Sequence, residues 1–185
     1  MSEFNSADQA ERLKAYRDAI GLFATGVTVL IIEHAGEIRC MTANAVSSVS
    51  LEPVQLLVCP SKQASFSELL DNDAMFTVNV LGIHQERLSN YFAGAKDEYS
   101  NREQHYDYLF SESITVPRLK DCIASFACKI SQKFDGGDHW IVVGEVLELY
   151  KTDNVSEPLL YFGGKYHYPQ QGEEEHVQPA ADPYA

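Results

Sequence analysis

The chain has 185 residues, 45% of them hydrophobic, enough for one large domain with a sizeable buried core. A formal net charge of −13 excludes nucleic acid and anionic membrane surfaces as natural partners, because both call for clustered lysine and arginine. No stretch reaches the roughly 18 apolar residues of a membrane span. The polar opening Met1-Ser2-Glu3 is unlike a secretory leader, so the expectation is a cytoplasmic protein whose four cysteines are reduced.

In chain order, Leu13, Tyr16, Ile20 and Phe23 recur at helical spacing with charges on the opposite face. This predicts an amphipathic helix, opened by a capping box from Ser6 to Gln9 and ended at Gly26. Residues 27–33 are rich in β-branched side chains and read as a strand, which a turn at 34–37 returns through 38–46 as a hairpin. Pro53 interrupts the chain before a buried strand at 54–59. The pattern from Ser65 to Glu68 is a second capping box, opening a short helix through Leu70. A strand at 75–81 and a helix at 85–92 stopped by Gly94 follow. Residues 95–110 carry no period and predict a long surface loop. Residues 122–131 alternate as a strand with one wet face, the turn at 135–138 sends them back as 140–150, and 158–162 is a short last strand. Strands outnumber helices and hairpins dominate, so the expected fold is a closed antiparallel barrel with a few helices outside. It occupies a single domain over 1–170, followed by an acidic tail over 171–185 that is either flexible or an arm ordered on a partner.

Residues 40–53 crowd small hydroxyl, amide and methyl side chains between two apolar strands. Thr42, Ala43, Asn44, Ser47, Ser48 and Ser50 permit close backbone approach and offer short donors and acceptors, which a flat polar ring needs; a Ser- and Thr-rich edge strand has the same composition. Ser65, at a helix start with Lys62 nearby, suits an anion as well as a plain N-cap. Phe92-Ala93-Gly94 reads either as a loop with free backbone donors or as a helix C-cap with Phe92 in the core. His139 follows a tight turn, where a histidine is either merely exposed or poised beside a ligand. Dinucleotide, P-loop, nucleophile-elbow, zinc-protease and CxxC motifs are all absent, and the histidines lack metal-ligand spacing, so no metal is expected.

Three separated blocks occur in a telling order: Phe23-Ala24-Thr25-Gly26-Val27-Thr28-Val29, the segment 40–53, and Val58-Cys59-Pro60-Ser61. Together they resemble the flavin reductase-like family, over about residues 16–168. The resemblance implies a mainly β, split antiparallel barrel with a few peripheral helices, binding FMN, or alternatively FAD, and accepting hydride from NADH or NADPH. It implies flavin contacts from Thr25, Thr42, Ala43, Asn44, Ser47, Ser48 and Ser50, and from Val58, Cys59 and Pro60. Ser61, Lys62 and Ser65 are implied at the flavin phosphate, with Phe92, Ala93 and Gly94 closing over the ligand. Tyr161 and Gly164 belong to a closing Tyr-Gly-rich motif with Gly163 and Tyr166, and His139, after Gly137-Asp138, is implied at the nicotinamide face as the catalytic candidate. Cys40 and Ala45 stand where glycine and serine are expected. The resemblance further implies a homodimer and a partner flavin-dependent monooxygenase that receives the reduced flavin. A flavoredoxin-like electron carrier and a non-catalytic flavin-binding protein are the alternatives.

Overall fold

The computed structural model describes residues 6–71, 74–94, 107–111, 114–153 and 157–169. Seven strands form one antiparallel sheet: β2 (Thr28–His34), β3 (Glu37–Ala43), β4 (Val46–Leu51), β5 (Val54–Val58), β6 (Met75–Val80), β9 (Ala124–Asp135) and β10 (Trp140–Lys151). A smaller sheet joins β1 (Thr25–Gly26), β11 (Leu160–Phe162) and β12 (Lys165–His167), and β7 (Tyr108–Leu109) pairs with β8 (Arg118–Leu119). The helices are α1 (Ser6–Ile20), α2 (Ser65–Glu68) and α3 (Glu86–Phe92).

The large sheet runs β3-β2-β6-β9-β10-β5-β4, so its two edge strands are consecutive in sequence, joined only by Asn44-Ala45. Two residues cannot cross an open sheet whose strands lie about 4.8 Å apart. The sheet therefore curls until its edges meet at that link, while no ladder joins β3 to β4 among the described residues. The result is a split barrel rather than the closed one that the strand pattern predicts. Its seam falls at the segment rich in small polar side chains.

β2 explains how the barrel gains two cores. Its buried run alternates Leu30 and Ile32 into the barrel interior, with Phe66, Phe76, Val58 and Val142, and Val29 and Ile31 outward against Val27, Leu81, Leu119 and Leu159. The outer core is roofed by the segment leading through β8. Asn79, fully buried, fastens that roof: its Oδ1 accepts from the Leu119 N–H at 2.9 Å and the Ser125 hydroxyl at 3.0 Å, and its Nδ2 donates to the Val29 carbonyl at 3.0 Å. The Thr77 hydroxyl adds a bond to the Pro117 carbonyl at 2.8 Å.

This roof corrects the expected wet face of β9. Ser125 and Ala127 are buried because a distant segment covers them, which strand alternation cannot register. Other differences are local. The first helix stops at Ile20 rather than Gly26, and the expected strand 38–46 is β3 followed by the seam link, with β4 a separate strand. α2 ends at Glu68, and its N-cap is Ala64 with no side-chain cap bond, so the capping box at Ser65 does not form. The short strands β1, β7, β8 and β12 are not among the elements that the sequence predicts. Most of the expected loop, residues 95–106, the expected tail over 171–185 and the Ser6 side chain lie outside the described residues.

Candidate active site

The seam opens into a cleft of about 820 Å³. One wall comes from the sheet: Asn44 and Ala45 of the link, Val46 and Ser47 of β4, and Leu57 and Cys59 at the end of β5. The facing wall is the end of α1, from Arg17 to Phe23, with Thr25 of β1 and Tyr161, Gly163 and Gly164 of the β11–β12 turn. Backbone bonds hold each wall. Cys59 N–H donates to the Ala45 carbonyl at 3.1 Å, and Gly163 N–H donates to the Gly21 carbonyl at 2.7 Å. Register places Thr25 opposite Tyr161, and the Asn44 Nδ2 reaches Thr25 Oγ1 at 3.2 Å.

Of the residues singled out in the sequence, the cleft gathers Thr25, Asn44, Ser47, Cys59, Tyr161 and Gly164. The others lie around it with different engagements. Ala43 is buried, its carbonyl accepting from the Thr28 hydroxyl at 2.6 Å, and Val58 is wholly inside the barrel core. Thr42 is half-buried and donates to the Ser89 carbonyl at 2.6 Å. Ser48 and Ser50 lie on β4 away from the cleft lining; the Ser50 hydroxyl accepts from the Glu52 N–H at 3.2 Å. Pro60 is buried with its carbonyl on the Trp140 N–H at 2.9 Å.

Ser61, Lys62 and Ser65 do not line the cleft. Lys62 Nζ is bound to Asp135 at 2.8 Å and lies 4.5 Å above the Trp140 ring; the same contact holds the Asp135 carboxyl below its usual range. Ser65 opens a four-residue helix whose N-cap, Ala64, makes no side-chain cap bond. The Ala93 and Gly94 N–H groups close α3 onto the Ser89 and Tyr91 carbonyls, and Phe92 packs on the outer core. The C-cap alternative is the one realised there, with those two donors internally satisfied. α3 nevertheless braces the site: Ser89 Oγ and Tyr166 Oη lie 2.8 Å apart, and Tyr166 meets Tyr161 edge to face at 5.5 Å.

His139 is half-exposed and its backbone bridges Ser61, which continues directly from the cleft wall at Cys59. Its Nδ1 lies 2.8 Å from the Asp138 carboxylate, whose acidity is increased chiefly by that bond and further by the positive charge of Arg17. The imidazole is not among the residues that line the cleft.

Sequence reasoning missed Arg17, Asp18 and the apolar end of α1 as cleft residues, along with Val46 and Leu57. Helical periodicity assigns Ile20 and Phe23 to a packed face. In the structure Ile20 is 51% exposed and Phe23 72%. Little in the sequence singles out Arg17, which is one of three basic residues, with Arg12 and Lys14, in the helix before the Phe23-to-Val29 block.

The donor set fits a flavin. Short neutral amide and hydroxyl groups with main-chain edges match a ring of alternating donors and acceptors, and the cleft volume lies within the range of nucleotide pockets. Gly163 and Gly164 both have positive φ, and a methyl group at either would project into open space, so the turn presents bare backbone to a ligand. A second cavity of about 320 Å³, from Thr77 to Tyr150, shares no lining residue with the cleft; there Arg118 is stacked 3.6 Å over Tyr150. Among the described residues no group of His, Cys, Asp or Glu could hold a metal ion, and no helix is long and apolar enough to cross a membrane.

Comparison with known proteins agrees with this geometry. The reductase component of 4-hydroxyphenylacetate 3-monooxygenase from Thermus thermophilus is 35% identical over 153 residues, covering 83% of this chain and 94% of that protein. The NADH-dependent FAD reductase of Streptomyces globisporus is 32% identical over 160 residues, covering 86% of each. The solved structure of flavin reductase PheA2 superposes with a TM-score of 0.77 at 35% identity, covering 85% of this chain and 98% of that one. The profile of the flavin reductase like domain matches residues 20–170, and the chain belongs to that family.

Proposed function

We propose that this protein is an NAD(P)H:flavin oxidoreductase that reduces FMN, or FAD, and passes the reduced flavin to a separate monooxygenase. The observation that supports the reading is the seam cleft, an open groove that sets short polar side chains and bare backbone against the apolar end of α1 and its Arg17, in a chain of this family. When bound there, a flavin supplies the hydride-accepting ring, and the protein's task reduces to orientation and exclusion of water. Asn44, Ser47 and the main chain at Ala45 and Cys59 hold the polar edge of the ring, Thr25 keeps Asn44 in place, and Gly163 and Gly164 let the backbone approach closely. Leu22, Phe23, Val46 and Leu57 supply apolar surface for the ring faces. We assign His139, oriented by Asp138, to the polar groups of the nicotinamide nucleotide. No strong acid–base pair is required of the chain, and none lines the cleft.

The cleft is open on one side, and the apolar face of α1 beside it is uncovered: Tyr16 is 65% exposed and Leu13 49%. A contiguous apolar surface of this kind favours a partner, and a two-fold homodimer that closes the cleft is the assembly we assign. The cytoplasm, with its reducing conditions and pool of reduced nicotinamide nucleotides, is the compartment we assign, in keeping with free cysteines throughout.

Steady-state NADH oxidation at increasing free FMN tests the function. A rate that rises with added FMN and saturates is expected. A rate independent of added flavin would instead make the protein an electron carrier that retains its flavin, and bound flavin left oxidised by NADH and NADPH without oxygen would make it a binding protein.

A further inference from the structure

Both proposed ligands carry phosphate, yet the chain's charge of −13 repels anions at long range. A phosphate entering the cleft must therefore be met by a local cation. Arg17 is the only basic side chain lining the cleft among the described residues. The acidic residue beside it, Asp18, is bound to Lys14 at 2.7 Å and so is already neutralised by its own helix. The basic residue expected at the phosphate from the sequence, Lys62, is held by Asp135 and lies outside the cleft. Arg17 itself is exposed, forms no ion pair within the salt-bridge distance among the described residues, and lies close enough to Asp138 to increase its acidity. Its charge is therefore available to the cleft that it lines.

Resting on the reductase reading, we infer that Arg17 is the phosphate-recognising residue of the cleft, its guanidinium pairing with a phosphate of a bound nucleotide. A planar guanidinium donates two parallel hydrogen bonds to phosphate oxygens, which a lysine cannot reproduce in the same geometry. The phosphate belongs to the flavin tail or to the nicotinamide nucleotide, and the arms of the test distinguish the two.

The test pairs phosphate-bearing ligands with their phosphate-free counterparts, in wild type, Arg17→Gln and Arg17→Lys. Flavin binding is followed by fluorescence quenching with FMN and with riboflavin. The donor is followed through the KM and kcat for NADH and for reduced nicotinamide riboside. Loss of a charge-assisted bond of this type weakens affinity by roughly tenfold. A tenfold rise for FMN but not riboflavin in Arg17→Gln supports the inference and assigns the flavin phosphate. A tenfold rise in KM for NADH but not for the riboside, with kcat little changed, supports it and assigns the donor. Arg17→Lys is expected to restore part of either loss. Equal losses with and without phosphate, or no loss in any arm, would overturn it. Wild-type protein that binds flavin but never oxidises NADH would sink the reductase reading alone, because the FMN and riboflavin arms still test Arg17.

Discussion

At the scale of single residues, the seam link concentrates the chemistry. Asn44 sits where two edge strands converge, with its amide pointed across the cleft to Thr25. If this amide also meets the flavin, Asn44→Ala leaves a polar group of the ligand unpaired, at a cost of about 1–3 kcal/mol. The dissociation constant for FMN, read by fluorescence, is expected to rise by about tenfold or more; an unchanged constant would remove Asn44 from the site. The cysteines supply an independent probe. Burial pushes the Cys40 thiol up to about 11 and that of Cys128 up to about 12, so neither forms thiolate near neutral pH. Cys59, less deeply placed, lines the cleft. Alkylation followed by peptide mass analysis is expected to mark Cys59 first, and FMN is expected to slow that labelling; labelling indifferent to FMN would contradict the assigned position.

At the scale of elements, close packing decides which strands tolerate change. Gly144 lies where β10 crosses the barrel interior, and an added methyl would fall 2.7 Å from Phe76 Cζ and 2.8 Å from Cys128 Cβ. Gly144→Ala is therefore expected to cost about 1–3 kcal/mol of stability through overpacking. Urea unfolding would show a lower midpoint at unchanged slope, and an unaltered midpoint would mean the barrel relaxes freely there. The same scale shows what was legible in advance. β2, the hairpin through Gly136-Gly137 and the helix at 86–92 follow local rules, because their side-chain periods and turn residues act over a few positions. The burial of Ser125 and Ala127 depends on a roof fastened by Asn79 from elsewhere in the chain, and Ser65 carries a cap pattern that the fold leaves unused. Lys62 pairs with Asp135 and lies over Trp140, contacts from distant parts of the chain that its sequence neighbours do not announce. Half of the cleft was readable as a run of small polar residues; the other half is contributed by α1, whose apolar stripe reads as core and is in fact uncovered.

At the scale of the whole molecule, the split barrel explains why a ligand site arises at a strand link rather than on an added domain. Sheet connectivity forces the edges together at Asn44-Ala45, and the small sheet carrying Tyr161 and the end of α1 leave a groove over that seam. In the dimer that we propose, α1 links assembly to the site, since the same helix contributes Leu13 and Tyr16 to the bare surface and Arg17 to the cleft. Sedimentation is expected to give a dimer for the wild type and a monomer for Leu13→Asp, with weaker FMN binding in the monomer; a wild-type monomer would contradict the proposed assembly.

The account's central claim is that flavin binds in the seam cleft, and a crystal structure with FMN bound tests it most directly. Electron density for the ring between Asn44–Ser47 and Gly163-Gly164 is the expected result. Density instead in the cavity between Thr77 and Tyr150, or none in a crystal grown at saturating FMN, would contradict it.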